Sequence, residues 1–255
     1  MTKVYKYTLV DLARNRFVLA FAVLMLVLAE GLFRIEGDAM KAMLSLVQVT
    51  LALVPLVTLV FTIVYSYDTQ EFTQLLAVQP IRRSAILAGR LAAIATAVLM
   101  ALAFGLGLPL LVHLPGMVSL LLFAANALLV LVFVALGTLL ALTQRDKARG
   151  VGIGLVTWFL FVLVYDALLM ALMFALSDRP IEPWVVPLAA LNPIDLARIA
   201  VMLRVDLAAM MGYSGAVYQR FFGSAQGILL ALGLMVLWAA WPALVAFRVF
   251  RRKDL

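Results

Sequence analysis

The chain has 255 residues, 66% of them hydrophobic, with a mean hydropathy of +1.13 and a formal net charge of +7. A soluble domain of that composition would have too little polar surface to meet water, and the lack of cysteine excludes a disulfide, a thiolate metal site or a thiol nucleophile. The basic excess does not point to nucleic acid, because its clusters sit at the borders of apolar blocks, where membrane topology and anionic lipid account for them.

At the start, Val4, Tyr5, Thr8, Leu9 and Leu12 recur at three- and four-residue spacing while Lys3, Lys6, Asp11, Arg14 and Asn15 are polar. This predicts a short amphipathic helix in the membrane interface, or else a plain extension of the span that follows. Six apolar blocks come next: Phe17 to Phe33, Leu44 to Tyr67, Ile86 to Val112, Met117 to Leu142, Gly150 to Leu176 and Gly227 to Phe247. Each approaches or exceeds the roughly 20 helical residues that cross a bilayer core about 30 Å thick. The first lacks a small-residue cleavage site and is read as a retained span. Pro55 and Pro109 lie inside blocks, where each frees a carbonyl and favours a kink.

Charge sets the orientation. Lys3, Lys6, Arg14 and Arg16 precede the first block. Arg82, Arg83 and Arg90 lie between or at the edges of the second and third, and Arg145, Lys147 and Arg149 lie between the fourth and fifth. Arg248, Arg251, Arg252 and Lys253 follow the last. These outnumber the basic residues of the opposite connections, so the positive-inside rule places both termini in the cytoplasm, as expected of a multi-pass protein of the bacterial inner membrane. The connections at His113 to Gly116 and Thr143 to Arg149 are too short to carry a domain. Room for function remains in a cytoplasmic connection over residues 68–85 and an external segment over 177–226, within a single membrane domain spanning 1–255.

Catalytic motifs are missing from the sequence. His113, the single histidine, has no partner at metal-ligand spacing and reads as a polar turn residue; no glycine-rich phosphate loop follows a strand. The twelve methionines are spread as packing residues are, not as a copper site. Asp166 is the one carboxylate deep inside a block. Its insertion cost of roughly 3 kcal/mol predicts that it faces a cavity or a partner group, the alternative being a structural bond to a hydroxyl such as that of Tyr165. Glu30 has Arg34 one turn away, a spacing that suits an ion pair. Gly150-x-x-x-Gly154 and Gly223-x-x-x-Gly227 permit close helix approach, either within one chain or between two copies.

In the external segment, Asn192 is placed to cap a helix with Pro193 at its first position. Leu196, Ile199, Ala200, Leu203, Leu207, Met210 and Met211 would share one face, and Gly212 would end the helix. A run from Gly212 to Gly223 follows, rich in Tyr213, Tyr218, Arg220, Phe221 and Phe222. Aromatic and arginine residues of this kind suit a protein interface; anchoring of the last span by an aromatic belt is the competing reading.

Two stretches carry a resemblance to a known family. Residues 68–90 read DTQEFTQLLAVQPIRRSAILAGR; leucines leading to a proline, a basic pair, an aliphatic pair and Gly-Arg resemble the cytoplasmic loop of ABC-2-type permeases. Glu71-Phe72 stand near the place of a Gly-Thr pair common in that family. The pairing of Leu191-Asn192-Pro193-Ile194-Asp195 with the Gly212 to Gly223 run is similar to the permease subunits of the ABC transporter that matures nitrous oxide reductase. The resemblance covers essentially the whole chain. It implies an all-α, type V exporter-like transmembrane domain that pairs with a second copy of itself in a homodimer. It further implies a separate cytoplasmic ATPase that carries ATP and magnesium, with no cofactor or catalysis on this chain. Coupling to that ATPase would fall to Glu71, Leu75, Leu76, Pro80, Arg82 and Arg83. A periplasmic β-helical maturation protein for the copper sites would dock at Asn192, Asp195, Arg198, Tyr213, Tyr218, Arg220, Phe221 and Phe222. A general ABC-2 exporter of a lipid, drug or other small molecule is the alternative implication.

Overall fold

Helices account for every regular element among the described residues, and six are long and apolar enough to cross a membrane. The computed structural model describes residues 2–78, 82–175, 187–202 and 225–252.

Helix α1 (Thr2–Ala13) has the expected face. Val4, Thr8 and Leu12 are buried, Tyr5 and Leu9 half-buried, while Lys3, Lys6 and Asp11 are exposed. The buried face packs on the third span, and Tyr5 Oη donates to Thr96 Oγ1 at 3.3 Å. The first span, α2 (Arg16–Glu36), starts where Asn15 accepts from the Phe17 N–H and ends at Gly37, whose φ of 66° closes the helix in the left-handed region. Asp38 then caps α3 (Ala39–Asp68), the second span, by accepting from the Met40 and Lys41 N–H groups. Pro55 sits inside α3 without ending it.

After α3 the chain turns at Thr69 into a short helix, α4 (Gln70–Val78), and returns through α5 (Arg83–Leu102). The third span continues through a π turn at Ala103–Gly107 into α6 (Leu108–His113). Pro109 supplies the reason: it has no N–H for the Gly105 carbonyl, so the helix widens there, and the Leu108 N–H reaches back five residues to the Ala103 carbonyl. Gly105 within that turn lies so close to α2 that a Cβ would stand 2.6 Å from the Ala22 carbonyl.

The fourth span, α7 (Met117–Thr143), forms the centre; more than half of its apolar window is buried, and it packs most extensively on α3 and on the sixth span. Buried Asn126 donates to Thr50 Oγ1 at 3.2 Å and to the Leu122 carbonyl at 3.0 Å. The fifth span runs through α8 (Lys147–Phe159), a second π turn at Leu160–Val164 and α9 (Tyr165–Ala175). No residue of its most apolar window is buried, so it lies on the outside of the protomer. It is held to α3 where Gly150 and Gly154 let it approach: a Cβ at Gly150 would lie 2.7 Å from Tyr67 Oη, and one at Gly154 2.5 Å from Ile63 Cδ1. This Gly-x-x-x-Gly pair therefore serves packing within the chain; Gly223 of the other lies outside the described residues.

Helix α10 (Pro193–Met202) starts as its sequence predicts, with Asn192 Oδ1 accepting from the Ile194 N–H at 3.0 Å. It differs from the expected one-faced helix. Ile194, Leu196, Ala197, Ile199, Ala200 and Val201 are all buried, because α10 is enclosed by α3, α7, the second π turn and the sixth span. An apolar stripe on one side cannot satisfy a helix surrounded by others. The last helix, α11 (Ala225–Arg252), carries the sixth span and ends in Arg251 and Arg252.

Candidate functional site

Two polar assemblies stand at opposite ends of the bundle. At the end where the basic residues gather, α4 is fixed by one side chain of the third span. Arg90 donates from Nη1 to Thr73 Oγ1 at 2.6 Å and from Nη2 to Thr69 Oγ1 at 2.8 Å, with a longer contact from Nη2 to the Ser66 carbonyl at 3.4 Å. Each threonine hydroxyl passes its own proton to a carbonyl one turn back, Thr69 to Tyr65 at 2.7 Å and Thr73 to Thr69 at 2.8 Å. The hydroxyls are thus oriented to accept from the guanidinium, and its planar fork locks the junction of α3, α4 and α5.

This clamp decides which face of α4 turns outward. Thr73 is buried, while Glu71, Phe72, Gln74 and Leu75 are exposed and Leu76 is half-buried. Phe72 and Leu75, three residues apart, are 48% and 68% exposed and form an apolar step on an otherwise polar end. Of the residues expected to couple, Glu71 and Leu75 thus share the exposed side, Leu76 is turned partly inward, and Arg82 and Arg83 are exposed at the start of α5. Pro80 lies outside the described residues. Phe72 was not among them; its spacing to Leu75 on a helix with Glu71 in its first turn was the available signal.

At the other end, the fifth span and α10 share a network. Arg198 Nη1 lies 2.6 Å from Asp166 Oδ2 and 3.2 Å from Asp195 Oδ1. Asn192 Nδ2 donates to Asp195 Oδ2 at 3.1 Å and to the Phe161 carbonyl, within the second π turn, at 2.8 Å. Tyr165 Oη donates to the Leu188 carbonyl, and Trp238 Nε1 of α11 donates to the Ala190 carbonyl at 2.9 Å. The Phe161 ring meets Phe133 of α7 and Trp238 edge-on at 6.3 and 5.7 Å between centroids. Burial pushes the Asp195 carboxyl well above the usual carboxylate range, helped by the hydrogen bond and charge of Asp166 and opposed by Arg198 and Asn192.

Asp166 therefore has the partner its depth requires, and that partner is Arg198 of the external segment, not a neighbouring hydroxyl. Of the residues expected to dock a periplasmic partner, the Asn192, Asp195 and Arg198 side chains turn into the protomer, where each satisfies another's polar groups. Tyr213, Tyr218, Arg220, Phe221 and Phe222 lie outside the described residues. The Glu30 pair with Arg34 is present at 3.5 Å, and Glu30 also meets His113 at 3.1 Å. His113, stacked on Phe33 at 4.7 Å, thereby ties the third span to the first.

Residues 72–255, from the second residue of the exposed α4 face to the end of the chain, match the family described as ABC-2 family transporter protein. The chain belongs to the ABC-2 transporter family. Near-full-length likeness extends to curated relatives: it is 31% identical to the probable ABC transporter permease protein NosY of Stutzerimonas stutzeri, with 95% of each chain covered. It is 28% identical to the probable ABC transporter permease protein NosY of Pseudomonas aeruginosa, with 97% of this chain and 96% of that one covered. This ABC-2 permease is accordingly a multi-pass transport component.

Proposed function

We propose that this permease is the membrane half of a transporter whose separate ATPase seats on α4, and that two copies build the transporter. The exposed pair Phe72 and Leu75, presented on a helix clamped by Arg90, carries the first part. A docking helix must transmit force, and the Arg90 guanidinium, bonded to Thr73 in α4 and to Thr69 and the Ser66 carbonyl at the end of α3, makes α4 move with the second and third spans instead of hinging freely. The unburied fifth span supplies apolar surface on the side where a second copy would pack. On the external side, the resemblance of the Leu191 to Asp195 and Gly212 to Gly223 stretches to nitrous oxide reductase maturation permeases supports a role in assembling the copper sites of that enzyme, with a periplasmic maturation protein as partner.

The test is a co-expression of the permease with its ATPase and the reductase. Phe72→Glu combined with Leu75→Glu should weaken ATPase retention at least about tenfold, the size of loss expected at interface hot spots, while the permease still inserts. Copper content of the reductase should fall in parallel. Full ATPase retention in the double variant would remove α4 as the docking helix. Normal copper loading in a strain lacking the permease would remove the maturation role and leave export of another substrate.

A further inference from the structure

The clamp at Arg90 borders a partly open cavity of about 260 Å³ lined by residues of α3, α4, α5, α7 and α11. Its polar contents are unbalanced. Arg90 and the exposed Arg145 line it, Gln70 and Gln144 add amides, and no carboxylate among the described residues lines the space. Every acceptor that Arg90 uses is neutral, being two hydroxyls and a carbonyl. Those bonds occupy only part of a guanidinium's five donors. A charge partly withdrawn from water without a counter-charge is costly.

We infer that this cavity is a binding site for a phosphate group, held between the Arg90 and Arg145 guanidiniums. Arginine forks match phosphate oxygens in bidentate fashion, and the anion supplies the missing charge. The remaining wall, with Leu87, Leu91, Ile94, Leu142 and Phe250, is apolar. The cavity therefore accepts either the headgroup of an anionic phospholipid, with its glycerol against these side chains, or free phosphate. Because the site also holds Thr69 and Thr73 through Arg90, an occupied cavity stiffens the α3–α4 junction. This assignment does not depend on the cargo of the transporter.

The experiment is thermal unfolding of the delipidated protein in detergent at fixed ionic strength, titrated with short-chain phosphatidylglycerol, with inorganic phosphate, or with an uncharged diacylglycerol. Stabilisation by phosphatidylglycerol beyond that from diacylglycerol or phosphate identifies a lipid headgroup; equal stabilisation by inorganic phosphate identifies the soluble anion. In Arg90→Gln the affinity for the effective ligand should fall at least about tenfold, as expected for loss of a charge-assisted bidentate contact. Should that variant fail to fold, Arg145→Gln carries the test, since its exposed side chain can be changed without touching the clamp, and about a threefold loss is expected for a charge at the rim. No stabilisation by either phosphate-bearing ligand, or undiminished affinity in a folded Arg90→Gln or in Arg145→Gln, overturns the assignment.

Discussion

Arg198 and Asp166 meet at 2.6 Å across 32 residues of chain, joining α10 to the middle of the fifth span. Among the described residues it is the only ion pair on the apolar stretch of the fifth span, and a second carboxylate, Asp195, stands 3.2 Å from the same nitrogen. One cation thus balances two acids while Asn192 holds the second acid to the helix start.

Removing Arg198 leaves both acids without a cation, and removing Asp166 leaves Arg198 only the longer contact to Asp195. Asp166→Asn and Arg198→Gln should each destabilise the protein by about 1–2 kcal/mol, below the 3–5 kcal/mol of a fully buried pair because both side chains keep some exposure. The double variant should cost less than the sum, which thermal unfolding of all four proteins in nanodiscs will show. Additive losses would mean that the two residues do not interact energetically. A membrane-inserted Asp166→Asn protein with full stability and full transport would deny the carboxylate any role.

The raised Asp195 carboxyl gives a pH signature. Because its folded value lies above the ordinary carboxylate value of about 4, near 8, the folded protein binds this proton more tightly than the unfolded chain. The stability so contributed is complete below about pH 4 and lost as pH rises through 8. Asp195→Asn cannot titrate, so the difference in melting temperature between wild type and variant should move in the variant's favour between pH 5 and pH 8, about the window bounded by those values. A constant difference over that window would show that Asp195 does not change its protonation on unfolding.

The six spans and the face of α1 were legible because they rest on the two quantities a sequence displays directly, the length of apolar runs and their period. The start of α10 was legible too, since Asn192 and Pro193 act on backbone groups within two residues of themselves. The Asp166 partnership was not. A single carboxylate in an apolar run announces that it needs a partner but not which one, and Arg198 belongs to a segment whose aromatic and basic content points outward. A sharper signal was available: Asn192, Asp195 and Arg198 recur every three residues at the start of a helix that is otherwise apolar on all sides, a polar stripe with an internal destination. The π turns were illegible for a different reason. They depend on a lost backbone bond at Pro109 in one case, and in the other on an acceptor role for Phe161 that only its neighbour Asn192 reveals.

The two glycines of the fifth span should respond unequally to the same substitution. A methyl at Gly154 meets only the terminal Cδ1 of Ile63, with the next atoms beyond 3.6 Å, so one side-chain end has to shift. A methyl at Gly150 meets the Tyr67 hydroxyl at 2.7 Å and two atoms of its ring at 2.9 and 3.2 Å. That ring is not free to yield, because Tyr67 Oη donates to the Gln144 carbonyl at 3.1 Å, beyond the end of α7. Moving it breaks this bond and shifts α8 away from α3, at the entrance to the cavity beside Arg90. Gly150→Ala should therefore cost about 1–3 kcal/mol, the range for overpacking a close contact, and Gly154→Ala less than about 1 kcal/mol after the gain in helix propensity from replacing glycine. The comparison is read from unfolding midpoints of the two variants in the same detergent, with Tyr67→Phe as a control. That control removes the hydroxyl bond alone, so a Gly150→Ala loss no greater than the Tyr67→Phe loss would assign the effect to the bond, and a greater one to the helix approach. Equal losses at Gly150 and Gly154 would contradict the close packing of Gly150 on Tyr67.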